Sequence, residues 1–171
     1  PLILTINPIT DALLAGNTVV IKPSEQTPFT IKLIKELWDS CSNEPDLLQV
    51  VYGCGDVGNE IVKSRKTNIV SFTGSTIVGK KIAETCASLL KPVILELGGK
   101  DPMIILDDAN IQRAANAALW GGLSNAGQTC TSIENIFIHS SVKSKFVSVL
   151  KDEIKKLKTG PNSTDHIGSI T

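Results

Sequence analysis

Residues 68–99 read "NIVSFTGSTIVGKKIAETCASLLKPVILELGG", and their succession of apolar runs and glycine turns points to one architecture. Asn68 to Thr73 is a short β-rich run that enters Gly74-Ser75-Thr76 directly, and a helical pattern then continues to about Leu90. Val93 to Leu97 is a second apolar run, stopped by Gly98-Gly99. A strand, a helix and a strand joined by tight turns form a βαβ unit, whose crossover helix makes its two strands parallel.

The alternation extends both ways. Upstream, Thr18 to Lys22 reads as a buried strand between Gly16-Asn17 and Pro23, and Pro28 to about Ser40 as a helix with Ile31, Ile34, Leu37 and Trp38 on one face. Leu47 to Tyr52 is a further strand, followed by Gly53-Cys54-Gly55 and a short helix from Val57 to Ser64. Downstream, Met103–Leu106 and Asn135–His139 read as strands and Ile111 to Leu123 as an Ala-rich helix. A last helix carries Val142, Phe146, Val149, Leu150, Ile154 and Leu157 on one face. Its lysines, with Asp152 and Glu153 among them, read as a solvated face. Short connections between alternating strands and helices predict an α/β chain with parallel sheet covered on both faces.

The 171 residues, 42% of them hydrophobic, suffice for one domain or two small ones with a real core. Lys+Arg and Asp+Glu number 17 each, so the electrostatic footprint of a nucleic-acid binder is missing. Residues 1–21 are apolar, but Asn7, Pro8, Asp11, Gly16 and Asn17 interrupt them, which is wrong for a membrane span. Cys41, Cys54, Cys86 and Cys130 form no CxxC pair, so neither a metal site nor a disulfide framework is suggested. Free thiols fit a reducing compartment, the cytoplasm first.

Four places carry chemistry. Gly53-Cys54-Gly55-Asp56-Val57-Gly58 matches G-x-G-x-x-G between a strand and a helix, but Val70 to Thr76 lacks the acidic residue expected further on; phosphate cradle and plain turn both stand. Gly74 to Gly79 opens a helix, where backbone N–H groups favour an anion, although Ser75 or Thr76 as a simple N-cap explains the same residues. Cys130 lies in Asn125-Ala126-Gly127-Gln128-Thr129-Cys130-Thr131-Ser132, a small-residue loop that admits a substrate to a nucleophile, whereas Cys41 and Cys86 sit in helical patterns and read as packing. Glu96 stands within an apolar run, where a carboxylate needs a partner such as Lys100 or a task as a base.

Together these segments resemble the aldehyde dehydrogenase superfamily. Ala15 to Glu25 is similar to its "AGNTVVxKPSE" segment, Phe72 to Gly79 to "FTGSTxxG", Leu95 to Lys100 to "LELGGK", and Gly127 to Cys130 to "GQxC". The resemblance implies a Rossmann-like parallel-sheet cofactor domain over residues 1–99, followed by the start of an α/β catalytic domain over residues 100–171. It implies Cys130 as nucleophile and Glu96 as general base. For the cofactor it implies Lys22, Ser24 and Glu25 near the adenosine ribose, Gly55 in a turn bordering the adenine, Thr73, Gly74, Ser75, Thr76 and Gly79 at the pyrophosphate, and Leu97 and Gly98 positioning the cofactor further. A carboxylate at Glu25 favours NAD over NADP. An aldehyde substrate and a homo-oligomer are also implied.

The chain departs from the pattern as well. The family's oxyanion Asn aligns before Pro1, and Asn135 stands where an Arg is common. The segment that holds the nicotinamide ribose finds no match, so the chain reads as the middle part of an enzyme. Retention of Glu96 speaks against a CoA-acylating relative, and Glu25 against an NADPH-dependent reductase.

Overall fold

The computed structural model describes residues 1–170. The chain forms two compact units, Pro1–Leu97 and Gly98–Thr171. The first contains α1 (Leu2–Leu14), β1 (Val19–Ile21), α2 (Pro28–Cys41), β2 (Leu48–Val50), α3 (Gly55–Lys63), β3 (Val70–Gly74), α4 (Thr76–Ser88) and β4 (Val93–Leu97). The second contains β5 (Asp101–Ile105), α5 (Ile111–Leu123), β6 (Ile133–Ile138) and α6 (Ser140–Ile154).

Among the described residues the strands pair two by two, β1 with β2, β3 with β4 and β5 with β6, every pair parallel. Each pair is bridged by a helix, as a parallel connection requires. Each also has its own core. Ile31 of α2 and Leu48 of β2 are buried with Ile9 of α1 over the first pair. Val62, Val70 and Cys86 cluster around the second pair, and Ile105, Ile111, Ala115, Ala118 and Phe146 around the third. Full burial of a side chain such as Ile31 or Phe146 contributes roughly 1.5–3 kcal/mol. The α/β class with parallel strands is therefore the observed one, and Cys86 is a packing residue with no exposed surface. Cys41 differs from the expected packing thiol: it is exposed at the end of α2.

Helix α1 is absent from the pattern-based reading because Pro8 and Asn7 interrupt the run. An interior proline costs about 3 kcal/mol. Ile9, buried, and Leu13 offset this by packing on the α2 and β1–β2 core. The helix ends in a Schellman motif: the Gly16 N–H donates to Leu13 O (2.9 Å) and the Asn17 N–H to Ala12 O (3.0 Å), with Gly16 at φ +80. No helix among the described residues is long and apolar enough to cross a membrane.

Strand β5 begins at Asp101 and β6 at Ile133, each two residues before its expected start. Asp101 opposes Ile133 but Pro102 opposes Asn135, so Glu134 is the extra residue of a bulge. Pro102 masks this start in the sequence because it donates nothing to a ladder.

Candidate active site

In the first unit, β1 delivers Lys22 into the loop that carries Ser24 and Glu25. The half-buried Lys22 ammonium donates to Pro23 O (2.7 Å) and to Gly53 O (3.0 Å), and Glu25 lies 3.6 Å from it. Lys22 thus ties the Ser24–Glu25 loop to the glycine turn after β2. Glu25 is exposed; backbone hydrogen bonding at Glu25 first, and then the Lys22 charge, hold its carboxyl below the usual carboxylate range. The Ser24 hydroxyl accepts from the Gln26 N–H at 3.3 Å, which rounds the loop.

Gly53 meets both constraints of a tight turn. Its φ is +155, and a Cβ there would stand 2.4 Å from Val57 Cγ2. A Cβ at Gly55, the first residue of α3, would meet nothing within 4 Å, which leaves open space beside that helix start.

Strand β3 ends in Thr73 and Gly74, and Ser75 caps α4 by accepting from the Val78 N–H at 3.4 Å. The N-cap role is therefore realised, and Thr76 is the first helical residue. The first-turn N–H groups and the dipole of this 13-residue helix point toward its start. Gly79 is buried, and a Cβ there would lie 2.6 Å from Leu97 Cδ2, so Gly79 lets α4 pack onto β4. Glu96, one residue earlier on β4, is on the exposed face with Ile94. Lys100, the other residue of the expected pair, forms an ion pair with Glu134, the bulge residue.

In the second unit Cys130 is exposed on a β-turn that the Ser132 N–H closes by donating to Thr129 O at 3.0 Å. Before it, Asn125, Ala126 and Gly127 are all left-handed, with φ of 53, 58 and 77. Asn125 Nδ2 donates to Gln128 O, and Gln128 Nε2 returns to Asn125 O, each at 3.1 Å. Thr129 Oγ1 donates to Ser124 O. A Cβ at Gly99 would stand 3.3 Å from the Cys130 carbonyl oxygen, so the second glycine after β4 lies against the cysteine turn. Gly98 has open space on the corresponding side. Sequence reading missed Ser132, whose side chain is buried beneath this turn, and the bulge at Glu134.

The sequence model of the aldehyde dehydrogenase family matches residues 1–171. The chain belongs to that family. A 4,4'-diapolycopene aldehyde oxidase of a Methylomonas species is 37% identical over 171 residues, 100% of this chain and 32% of its own length. A D-glyceraldehyde dehydrogenase (NADP(+)) of Picrophilus torridus is 35% identical, with 96% of this chain and 34% of that protein aligned. Betaine aldehyde dehydrogenase of Staphylococcus aureus, solved in complex with NAD+, superposes with a TM-score of 0.91 at 36% identity, covering 95% of this chain and 33% of its own. The chain thus spans about a third of the length of these relatives.

Proposed function

We propose that the chain carries the cofactor-binding and nucleophile-bearing parts of an enzyme that oxidises an aldehyde to a carboxylic acid with NAD. The observation that supports this most is the setting of Cys130: an exposed thiol at the head of a closed turn, with Gly99 against its carbonyl.

The residues present fit a dinucleotide. Lys22, Ser24 and Glu25 hold the adenosine ribose, where an ionised Glu25 accepts from a free 2′-hydroxyl and repels a 2′-phosphate. Gly55 borders the adenine. Thr73, Gly74, Ser75, Thr76 and Gly79 form the pyrophosphate turn at the start of α4, and Leu97 and Gly98 position the rest. The bound nicotinamide supplies the hydride acceptor. As the thiolate, Cys130 attacks the aldehyde carbon and forms the C–S bond of a thiohemiacetal. The Cys130 backbone N–H stabilises the oxyanion. Once oxidised, the carbon is held as a thioester on Sγ. Glu96 then takes a proton from water, which attacks the acyl carbon, and the thiolate leaves. Scattered free thiols suit a reducing compartment such as the cytoplasm, and the family resemblance supports a homo-oligomer.

The test is Cys130→Ser in the intact enzyme, with NADH and NADPH production followed over aliphatic and aromatic aldehydes. Turnover falls at least about a thousandfold while NAD binding persists, because a hydroxyl is a far weaker nucleophile at neutral pH. Substantial turnover by the variant removes Cys130 from the reaction, and a preference for NADP overturns the role of Glu25.

A further inference from the structure

Ser132 is the one buried residue with a polar side chain among the described residues, at 6% exposure, and none of the proposed chemistry uses it. Its Oγ lies 3.3 Å from Gly122 O and 3.4 Å from Gly121 O, and donates toward both. Those carbonyls belong to the last turn of α5, whose C=O groups have no N–H partner within that helix. The hydroxyl therefore does for this helix end what a capping residue does elsewhere, from a distance of ten and eleven residues along the chain.

The same residue closes the turn around Cys130. The Ser132 N–H holds Thr129 O, so Cys130 and Thr131 are the two central residues of a turn whose last member is moored to α5. Steric fit reinforces the mooring. A Cβ on Gly121 would fall 2.4 Å from Ile133 Cδ1, and one on Gly122 would fall 3.3 Å from Ile133 O, so the start of β6 presses directly on this glycine pair. On the other side of the turn the chain is left-handed over three successive residues.

We infer that Ser132 is a positioning residue for Cys130: its hydroxyl moors the cysteine turn to the C-terminal end of α5 and fixes the Cys130 Sγ and N–H for attack. This rests on the nucleophile role proposed above. A displacement of about 1 Å at a reacting atom costs on the order of a hundredfold in rate, so a partial loosening of this turn costs about tenfold.

The test compares Ser132→Thr with Ser132→Val in the intact enzyme, a pair of equal shape in which only Thr keeps the hydroxyl, alongside Ser132→Ala. The Thr variant exceeds the Val variant about tenfold in kcat. The cofactor and aldehyde KM values stay within about twofold of each other, and iodoacetamide alkylation of Cys130 slows in parallel with kcat. Equal kcat and equal alkylation in the Thr and Val variants overturn the inference. So does a loss in both that is matched by lower Tm and weaker NAD binding, since that marks general packing. Ser132→Ala behaves as Val if the hydroxyl is what matters; an Ala variant with the parent's kcat overturns the inference on its own. Cys130→Ser separates the two readings. If it is inactive while Ser132→Val matches Ser132→Thr, positioning alone fails. If it is active, the nucleophile assignment fails and takes the positioning role with it.

Discussion

The turn from β3 into α4 and the turn from α5 to β6 carry the two halves of the proposed chemistry, and they are built in opposite ways. The first is made of ordinary conformations. Ser75 caps a helix with φ −70 and ψ 147, and no residue from Thr73 to Gly79 has a positive φ. The second places Asn125, Ala126 and Gly127 in the left-handed region in succession, and only one of the three is glycine. Left-handed backbone costs about 1–2 kcal/mol for a residue such as alanine. Reciprocal bonds between Asn125 and Gln128, the mooring at Ser132 and the fit of Ile133 on Gly121 hold it in place. An anion site needs only converging N–H groups, which any helix start supplies. The proposed nucleophile must be set at one place and exposed, and the loop that leads to it is strained.

Glu96→Gln in the intact enzyme removes the proposed base and keeps the shape. Steady-state turnover is expected to fall by about 10²–10⁴-fold, with a burst of NADH near one equivalent in rapid-quench experiments. A parent-like steady state without a burst leaves Glu96 out of deacylation.

Gly53→Ala tests the first unit alone. The new Cβ meets Val57 Cγ2 at 2.4 Å and Val57 Cβ at 2.8 Å, on a backbone at φ +155. A loss of about 1–3 kcal/mol in stability is expected by denaturant titration, with no change in Cys130 alkylation. A parallel drop in alkylation would show that the variant acts beyond the glycine turn after β2.

Ala126→Gly relieves the left-handed strain at φ 58, against some gain in unfolded-chain entropy. A net stabilisation of about 0.5–1 kcal/mol is expected in thermal unfolding. Destabilisation would mean that the alanine methyl packs to more advantage than the strain costs.

The smallest effect concerns Glu25, whose carboxyl is held below its ordinary 4.5. A depressed carboxylate stabilises the fold above the unfolded pKa and loses that contribution as pH falls through the folded value. Tm measured against pH should separate the parent from Glu25→Gln above pH 4.5 and bring them together below it. A constant separation at all pH values assigns the difference to something other than charge.

Most of the architecture was legible because burial imposes periodicity. Ile31 and Ile34 mark the inner face of α2, Ala115 and Ala118 that of α5, and Phe146 that of α6, each at helical spacing. Motif positions were legible through the family resemblance, since a glycine turn after a strand by itself left cradle and plain turn both open. Gly79 is an instance: its place in the pattern was readable, but its contact is with Leu97 of β4, from a segment 18 residues later. Helix α1 was hidden by Pro8, whose local cost is repaid by contacts that α2 and β2 bring from afar.

From the sequence alone come the βαβ order and the parallel class, which depend on neighbours within a few residues, and, through the resemblance of its motifs to the family, the proposed nucleophile and cofactor turns. Only the tertiary structure decides that Lys22 reaches across to Gly53 O, that Lys100 pairs with Glu134, and that Ser132 turns inward to α5. Those contacts join residues 10 to 34 positions apart. Hydrogen bonds and ion pairs leave no periodic trace in a chain. Which partner a polar group finds depends on where packing of the apolar faces places it, and that placement exists only once the chain has folded.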